Sequence, residues 1–230
     1  MGFSRKEEIA RLKKERRNAK ADKSRKIGTR SKRVRFLIVC EGEKTEPNYF
    51  KALIADQLSV VREVFIEGEG CATIALVKRA LEIKNELERE NEFEFDRVWV
   101  VFDKDDFKDF NEAINLSKQY KFRSAWTNEA FELWYYLHFE YLDTAIGRYD
   151  YIRKLQDIIR NKTNNQNFKY QKNDPNFYAL LHNIGNEKLA KRFAGRLRKM
   201  HNGSDYAKQC PRTEVDLLVD ELENPESLIK

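Results

Sequence analysis

Carboxylates follow two apolar runs of this chain at the point where each run ends. Residues 36–40 stop at Glu41-Gly42, and residues 98–102 stop at the acidic segment Asp103–Asp106. Short, continuous apolar runs of this kind predict strands that are buried on both faces. The carboxyl ends of parallel strands meet at one edge of a sheet, where open α/β sheets bind ligands. We therefore expect these carboxylates to lie close together.

Several carboxylates at one sheet edge repel each other strongly unless a cation lies between them. Asp103 and Asp105 are two residues apart, which places both side chains on one side of an extended backbone, as an oxygen-ligated Mg²⁺ or Mn²⁺ site requires. We predict that Glu41, Asp103 and Asp105 bind metal and are catalytic, and that Asp106 is a further candidate ligand. The alternative for an acidic strand end is ordinary solvation of a loop.

Other polar residues near the predicted strand ends are candidates for substrate binding. They are Gly42, Lys44, Asn128, Glu132 and His138. Glycine lets the backbone turn tightly and leaves space for a phosphate or a metal. Lys44 either meets a phosphate or pairs with Glu43. Glu132 and His138 lie in an apolar, aromatic predicted helix, where buried polar side chains need hydrogen-bond partners. Glu132 either lines the acidic site or joins a structural hydrogen-bond network. His138 is either catalytic or a core histidine.

The apolar pattern predicts alternating strands and helices in the first part of the chain. Strands are expected at 35–40, 60–66, 97–103 and 121–126, and helices at 45–58, 72–90, 109–120 and 129–141. This order predicts an α/β fold with a mostly parallel sheet, right-handed crossovers and flanking helices. Further helices are expected at 148–161, 174–183, 186–201 and 212–223. The chain is thus expected to comprise an α/β domain at 35–142 and a helical extension at 143–230 packed on the sheet.

The charge of the chain is unevenly distributed. Residues 1–35 hold 15 Lys/Arg and 4 Asp/Glu, a net charge of +11, whereas the whole chain of 230 residues carries +6 and residues 36–230 therefore carry −5. We expect residues 1–34 to be a basic arm, either flexible or helical, that attracts nucleic acid in a salt-dependent way. A merely solubilising tail is the alternative.

The sequence lacks the features typical of several protein classes. The three cysteines are far apart and show no CxxC spacing, which argues against a zinc knuckle and a disulfide framework. No apolar stretch reaches about 18 residues, and the basic N-terminal residues lack the apolar h-region typical of a signal peptide, so we expect a cytoplasmic protein without a membrane partner. The chain contains no GxxxxGK[ST], GxGxxG, GxSxG or HExxH motif.

Four segments, in this order, resemble the motifs of RloB-like proteins, also called the AbiLii type. They are residues 38–50 (IVCEGEKTEPNYF), 98–106 (VWVVFDKDD), 128–139 (NEAFELWYYLHF) and 213–219 (TEVDLLV). The resemblance covers roughly residues 33–222. Family members often have Pro-Cys where this chain has Glu129-Ala130.

The resemblance implies a Toprim-like fold, in which a glutamate after the first strand and a DxD pair after the third bind Mg²⁺. Transferred by position, these residues are Glu41, Asp103 and Asp105. The resemblance also implies a link to restriction-modification loci, an AAA-type ATPase partner encoded nearby and a role in abortive infection, a response to phage. RNA, including transfer RNA, is a plausible target by analogy with related Toprim effectors.

The residues and the resemblance together predict a Mg²⁺-dependent nuclease of bacterial phage defence that cleaves DNA or RNA. Two alternatives stay open. One is a non-catalytic subunit that holds nucleic acid or the ATPase and binds metal only structurally. The other is a primase-like nucleotidyl or phosphoryl transferase that acts on a small nucleotide.

Overall fold

The structure is a computed structural model that describes residues 33–56, 62–71 and 73–229. Arg33–Lys230 form one compact unit. Residues 1–32 of the expected basic arm lie outside the described part. No helix in the described ranges is both long enough and apolar enough to cross a membrane.

Within the described residues, five strands form a single sheet. They are β1 (Val34–Cys40), β2 (Arg62–Gly68), β3 (Arg97–Asp103), β4 (Arg123–Asn128) and β5 (Arg212–Thr213). The strand order is β2-β1-β3-β4-β5, with the first four strands parallel and β5 antiparallel to β4. The predicted α/β class and mostly parallel sheet are confirmed, although β2 and β4 each end two residues later than expected.

Eight α-helices accompany the sheet in the same described ranges. They are α1 (Thr45–Asp56), α2 (Thr73–Asn91), α3 (Phe110–Gln119), α4 (Glu132–Leu137), α5 (Arg148–Thr163), α6 (Phe177–Ile184), α7 (Glu187–Met200) and α8 (Val215–Glu223). Short 3₁₀ turns follow at Tyr206–Lys208 and Pro225–Leu228. The helical C-terminal part agrees with the sequence prediction.

The sheet is buried on both faces because helices cover each of them. Successive side chains of a strand point to opposite faces, so Phe36 and Ile38 of β1 join a core with α1 and α4–α8, whereas Leu37 and Val39 join a second core with α2 and α3. This double burial explains why the strands appear in the sequence as continuous apolar runs.

Two segments differ from the sequence prediction. The helix expected at 129–141 is limited to α4, and just before it the backbone N–H of Phe131 donates to the Asp103 carboxylate at 3.1 Å. The helix expected at 212–223 begins only at Val215, since Arg212 and Thr213 pair with β4. A two-residue strand is too short to show a period in the sequence.

Candidate active site

The acidic ends of β1 and β3 meet at the same edge of the sheet. Glu41 directly follows β1, and its backbone N–H donates to the carbonyl of Val101 on β3 at 2.8 Å. Asp103 is the last residue of β3, and its backbone N–H donates to the Glu41 carboxylate at 3.1 Å. The parallel pairing of the two strands therefore brings the predicted glutamate and the first aspartate into direct contact, as the sequence predicts.

Arg148, at the start of α5, joins both aspartates. Its Nη2 lies 3.1 Å from Asp103 Oδ2 and 2.7 Å from Asp105 Oδ1. Asp103 is buried, and its Oδ2 also accepts the hydrogen bond from Phe131. Asp105 has a backbone φ of +37°, in the left-handed region that non-glycine residues rarely adopt. Strained backbone of this kind often occurs at functional sites.

Two further buried glutamates belong to this cluster. Glu46, in the first turn of α1, and Glu132, the first residue of α4, are 5% and 1% exposed. Both raise the pKa of Asp103 through their charge. Glu132 Oε1 accepts a hydrogen bond from the Tyr170 hydroxyl at 3.1 Å, but the Oε2 atoms of Glu46 and Glu132 have no hydrogen-bond partner among the described residues. Buried oxygens without a partner are costly.

Gly42 makes room for Glu46. A Cβ atom on Gly42 would lie 2.0 Å from Glu46 Oε2, closer than any real contact. Any other residue at position 42 would therefore displace the carboxylate of Glu46 from the turn after β1. The sequence predicts that Gly42 leaves space for a phosphate or a metal. In the structure, this space holds the carboxylate of Glu46.

The surroundings of Glu41, Asp103 and Glu46 raise the pKa of each of these carboxyls. Burial raises the pKa of Glu41 to about 7; the charges of Asp105 and Glu46 add to this effect, and the hydrogen bond from Asp103 and the charge of Arg148 oppose it. Burial also raises the pKa of Asp103 well above its usual value and raises that of Glu46. One arginine in contact is thus insufficient to keep all of these groups ionised, and an added cation would relieve the remaining repulsion.

The side-chain chemistry of the cluster fits a divalent cation. Carboxylate oxygens are the ligands that Mg²⁺ prefers, and the unpartnered oxygens of Glu46 and Glu132 are donor atoms available here. Across residues 33–56, 62–71 and 73–229, no group of three or more His, Cys, Asp or Glu side chains is arranged to hold a metal ion. In the arrangement shown, the guanidinium of Arg148 is the cation in contact with Asp103 and Asp105.

Three other predicted site residues, Lys44, Asp106 and Asn128, make no side-chain hydrogen bond or ion pair with the acidic cluster among the described residues. Lys44 and Asp106 are exposed, and no ion pair joins Lys44 to Glu43 in the described part of the chain. Asn128, at the end of β4, is buried, and its side-chain amide donates to the carbonyls of Tyr206 and Ala207 at 3.2 and 3.0 Å. This amide holds the turn that precedes β5.

His138 lines a different pocket. Its Nδ1 lies 2.9 Å from the carbonyl oxygen of Trp134, and burial lowers its pKa to about 4, so the ring is neutral. It borders a cavity of about 320 Å³ together with Tyr49, Tyr178 and Glu187. The contacts of His138 are those of a core histidine, and a role of this residue in substrate binding stays a prediction.

The sequence does not predict two members of the cluster, Glu46 and Arg148, as site residues. The signal for Glu46 is its place five residues after Glu41, in the first turn of a helix that begins at the sheet edge. Arg148 has no comparable signal, because it lies 45 residues after Asp103 and beyond the expected domain boundary at 142. Its place in the cluster depends on the tertiary fold alone.

The sequence model of the RloB-like protein family matches residues 36–222. This chain belongs to the RloB-like family. The match confirms the resemblance found in the four motifs, and it spans every carboxylate of the cluster as well as Arg148. No curated protein and no solved structure matches the chain. For this RloB-like protein, the Toprim likeness and the roles of the site residues stay predictions.

Proposed function

We propose that this RloB-like protein is a divalent-metal-dependent nuclease that hydrolyses phosphodiester bonds in DNA or RNA. The observation that carries the proposal is the convergence of Glu41, Asp103 and Asp105 at one sheet edge, where the Asp103 backbone contacts Glu41 and Arg148 joins both aspartates. Buried carboxylates whose pKa values are strongly raised are common at catalytic sites.

In the proposed mechanism, Asp103 and Asp105 would hold Mg²⁺ or Mn²⁺, and Glu46 and Glu132 would supply additional oxygens. Glu41 would either join them as a ligand or act as the general base. When bound, the cation stabilises negative charge on the phosphate being cleaved. Glu41 has a pKa of about 7, so it can take a proton from a water molecule near neutral pH, as a general base does. The water oxygen then bonds to phosphorus as the bond between phosphorus and the leaving oxygen breaks, and the leaving oxygen takes up the proton that Glu41 removed from the water.

Arg148 has a defined place in this scheme. Its guanidinium lies between the aspartates, and its Nε has no hydrogen-bond partner among the described residues. A guanidinium presents several donors in one plane and matches the oxygens of a phosphate. If the aspartates bound a metal in place of Arg148, its guanidinium would be placed to contact the phosphate of the substrate.

The test replaces the central carboxylate. Asp103→Asn keeps the size of the side chain and removes its charge, and we expect nucleic-acid cleavage in Mg²⁺ or Mn²⁺ to fall by at least about 100-fold, as it does when other charge-stabilising groups are lost. Cleavage of labelled single-stranded and duplex DNA and RNA is followed by gel electrophoresis.

Asp157→Asn is the matched control, because Asp157 is a 63% exposed aspartate of α5 that pairs with Arg160 on the surface, at 3.5 Å. Cleavage by this variant should remain within a few-fold of the unmodified protein. Undiminished cleavage by Asp103→Asn, in a protein that melts at the same temperature as the unmodified one, would refute the mechanism.

We further propose that the nuclease acts in bacterial phage defence, together with an AAA-type ATPase encoded nearby. Membership of the RloB-like family supports this context. Expressing the chain alone and with its genomic neighbour, and then examining bulk DNA and transfer RNA, tests the partner and the target together. Intact nucleic acid and unaffected growth in both cases would contradict the proposal.

One observation favours a second candidate, a non-catalytic subunit that holds nucleic acid or the ATPase. Arg148 already neutralises Asp103 and Asp105 in part through direct ion pairs, as expected if the cluster were structural. The two functions differ in their dependence on metal. A purely binding subunit would bind nucleic acid equally well in EDTA and in Mg²⁺ and would leave it uncut.

A further inference from the structure

Two exposed aromatic side chains accompany the ion pair between Arg148 and Asp105. Three large apolar side chains are exposed in the described residues, Phe107 at 36%, Tyr149 at 88% and Met200 at 51%. Phe107 follows Asp105 by two residues, and Tyr149 directly follows Arg148. Arg148 Nη2 lies 2.7 Å from Asp105 Oδ1, and two residues span at most about 7 Å, so the backbones of Phe107 and Tyr149 both lie beside this ion pair of the acidic cluster.

The fold leaves the ring of Tyr149 almost wholly in solvent and that of Phe107 partly exposed. Most aromatic side chains of this chain pack against each other, as Tyr49 and Phe131 do with ring centroids 5.8 Å apart. Neither Phe107 nor Tyr149 makes a ring contact or a cation–π contact within the described residues. A solvent-exposed tyrosine loses the favourable free energy that burial of its ring would supply. Exposed apolar side chains that cluster beside a polar site often mark a binding surface.

A cation accompanies each of the two rings. Lys108 is exposed and directly follows Phe107. Arg153 lies four residues after Tyr149 on α5, and therefore on the same face of the helix; its side chain is 71% exposed, and it pairs with Asp150 at 2.9 Å. Rings for the bases and cations for the phosphates are the combination with which proteins bind single-stranded nucleic acids.

We propose that Tyr149 and Phe107 form a stacking platform for unpaired bases of a single-stranded DNA or RNA substrate. The base faces of a duplex are stacked on each other, whereas those of an unpaired strand are free to stack on aromatic side chains. The platform thus selects unpaired nucleotides at the rim of the acidic cluster. This inference rests on the proposed nuclease function for the role of the cluster and adds the class of substrate.

The test measures binding without cleavage. The full-length protein in EDTA is titrated against a fluorescent oligonucleotide of roughly 12 nucleotides, within the usual range of binding-site sizes. The oligonucleotide is used as a single strand, as a duplex, and as a single strand with abasic positions. Fluorescence anisotropy gives the dissociation constant of each.

Tyr149→Ala is expected to weaken binding of the intact single strand by roughly 5- to 150-fold, the loss typical of one base–aromatic stack. Tyr149→Phe keeps the ring and should bind as the unmodified protein does. Phe107→Ala should show a loss in the same direction as Tyr149→Ala. Met200→Ala is the matched control, because Met200 is an exposed apolar side chain at the end of α7 whose sulfur contacts the Tyr141 hydroxyl at 3.1 Å and, in the described part of the chain, no residue of the cluster. The affinity of this variant should not change.

The abasic strand decides whether stacking is the cause. On that strand and on the duplex, Tyr149→Ala and the unmodified protein should bind equally well. The inference is overturned if Tyr149→Ala loses no more affinity than Met200→Ala, or if it loses as much on the abasic strand as on the intact one. The Asp103→Asn cleavage assay is independent, so a failure of the nuclease proposal and a failure of the stacking platform are distinguishable.

Discussion

Arg148 neutralises two carboxylates of the acidic cluster at once. Its guanidinium contacts Asp103, which is buried, and Asp105, which is partly exposed. If the same aspartates bind a divalent cation, arginine and cation compete for the same negative charge. The protein without metal then depends on Arg148 for its stability, and its affinity for metal is reduced by the presence of Arg148.

Arg148→Ala separates these two effects. Without divalent cations, we expect the free energy of unfolding at neutral pH to fall by about 1–3 kcal/mol, since a buried carboxylate loses its partner. The affinity for Mg²⁺ should rise by about tenfold or more, because a positive charge near the cation is gone. Urea denaturation and isothermal titration calorimetry measure the two quantities.

Arg153→Gln is the matched control, because it removes an arginine from the same helix about one turn away. Arg153 pairs with Asp150 on the surface, and surface pairs contribute little to stability. Its loss should leave the affinity for Mg²⁺ unchanged. An Arg148→Ala protein that binds Mg²⁺ more weakly than the unmodified protein would show that the arginine and the cation do not compete.

Glu187, at the start of α7, makes the stability of the protein depend on pH. Burial raises its pKa from 4.5 to about 7; neighbouring Glu223 adds to the shift, and Lys191, whose Nζ lies 3.4 Å away, opposes it. The folded state therefore favours the protonated form. The resulting stabilisation is fully present below about pH 4.5 and is lost as the pH rises through about 7.

Glu187→Gln mimics the protonated form at every pH. We expect the unmodified protein to lose about 1–2 kcal/mol of unfolding free energy relative to this variant between pH 4.5 and pH 8, a figure reduced for the partial exposure of the side chain. Urea denaturation at several pH values gives the difference. If the stabilities of the two proteins changed in parallel over this range, the raised pKa of Glu187 would be wrong.

At the scale of elements, β5 ties the C-terminal part of the chain to the strand that ends beside the cluster. The hydroxyls of Thr127 on β4 and Thr213 on β5 are buried and lie 2.9 Å apart. The Thr213 hydroxyl also accepts a hydrogen bond from the backbone N–H of Val215 at 3.3 Å. One buried pair thus links the sheet to the start of α8.

Valine has the shape of threonine without its hydroxyl, so it tests this pair. We expect Thr127→Val and Thr213→Val each to lower the free energy of unfolding by about 1–3 kcal/mol, with the larger loss at Thr213, whose hydroxyl has two partners. The double variant should lose less than the sum of the single losses, by about 0.5–1.5 kcal/mol, because no hydroxyl is left unpaired. Strictly additive losses in urea denaturation would mean that the two hydroxyls are not coupled.

The strands that the sequence predicts correctly are those whose formation depends on a pattern of neighbouring residues. β1 and β3 are buried on both faces, so each is a continuous apolar run, and the carboxylate after each run marks its end. β5 has two residues and no such pattern. Arg148 reaches Asp103 across 45 residues, and no local propensity encodes that contact. The acidic half of the site was therefore predictable, whereas its counter-ion required the fold.

At the scale of the whole molecule, the charge is divided between two parts of the chain. Residues 1–32 contain 13 Lys/Arg and 4 Asp/Glu, a net charge of +9, so the remaining residues carry −3. Arg33–Lys230 form a compact unit by themselves. A net negative unit with an acidic cluster repels nucleic acid at long range, and the basic segment is the part of the chain able to offset this repulsion.

Deleting residues 1–32 should therefore weaken nucleic-acid binding at low salt by at least about tenfold. It should also flatten the plot of log affinity against log salt concentration by about one unit for each phosphate that the segment neutralises in the unmodified protein. A second variant, with the 13 Lys/Arg of this segment replaced by glutamine, keeps its length and serves as the control for charge. Both variants should bind alike, because the contribution is electrostatic. An unchanged salt slope in both would assign the segment to solubility alone and leave nucleic-acid capture to the folded unit.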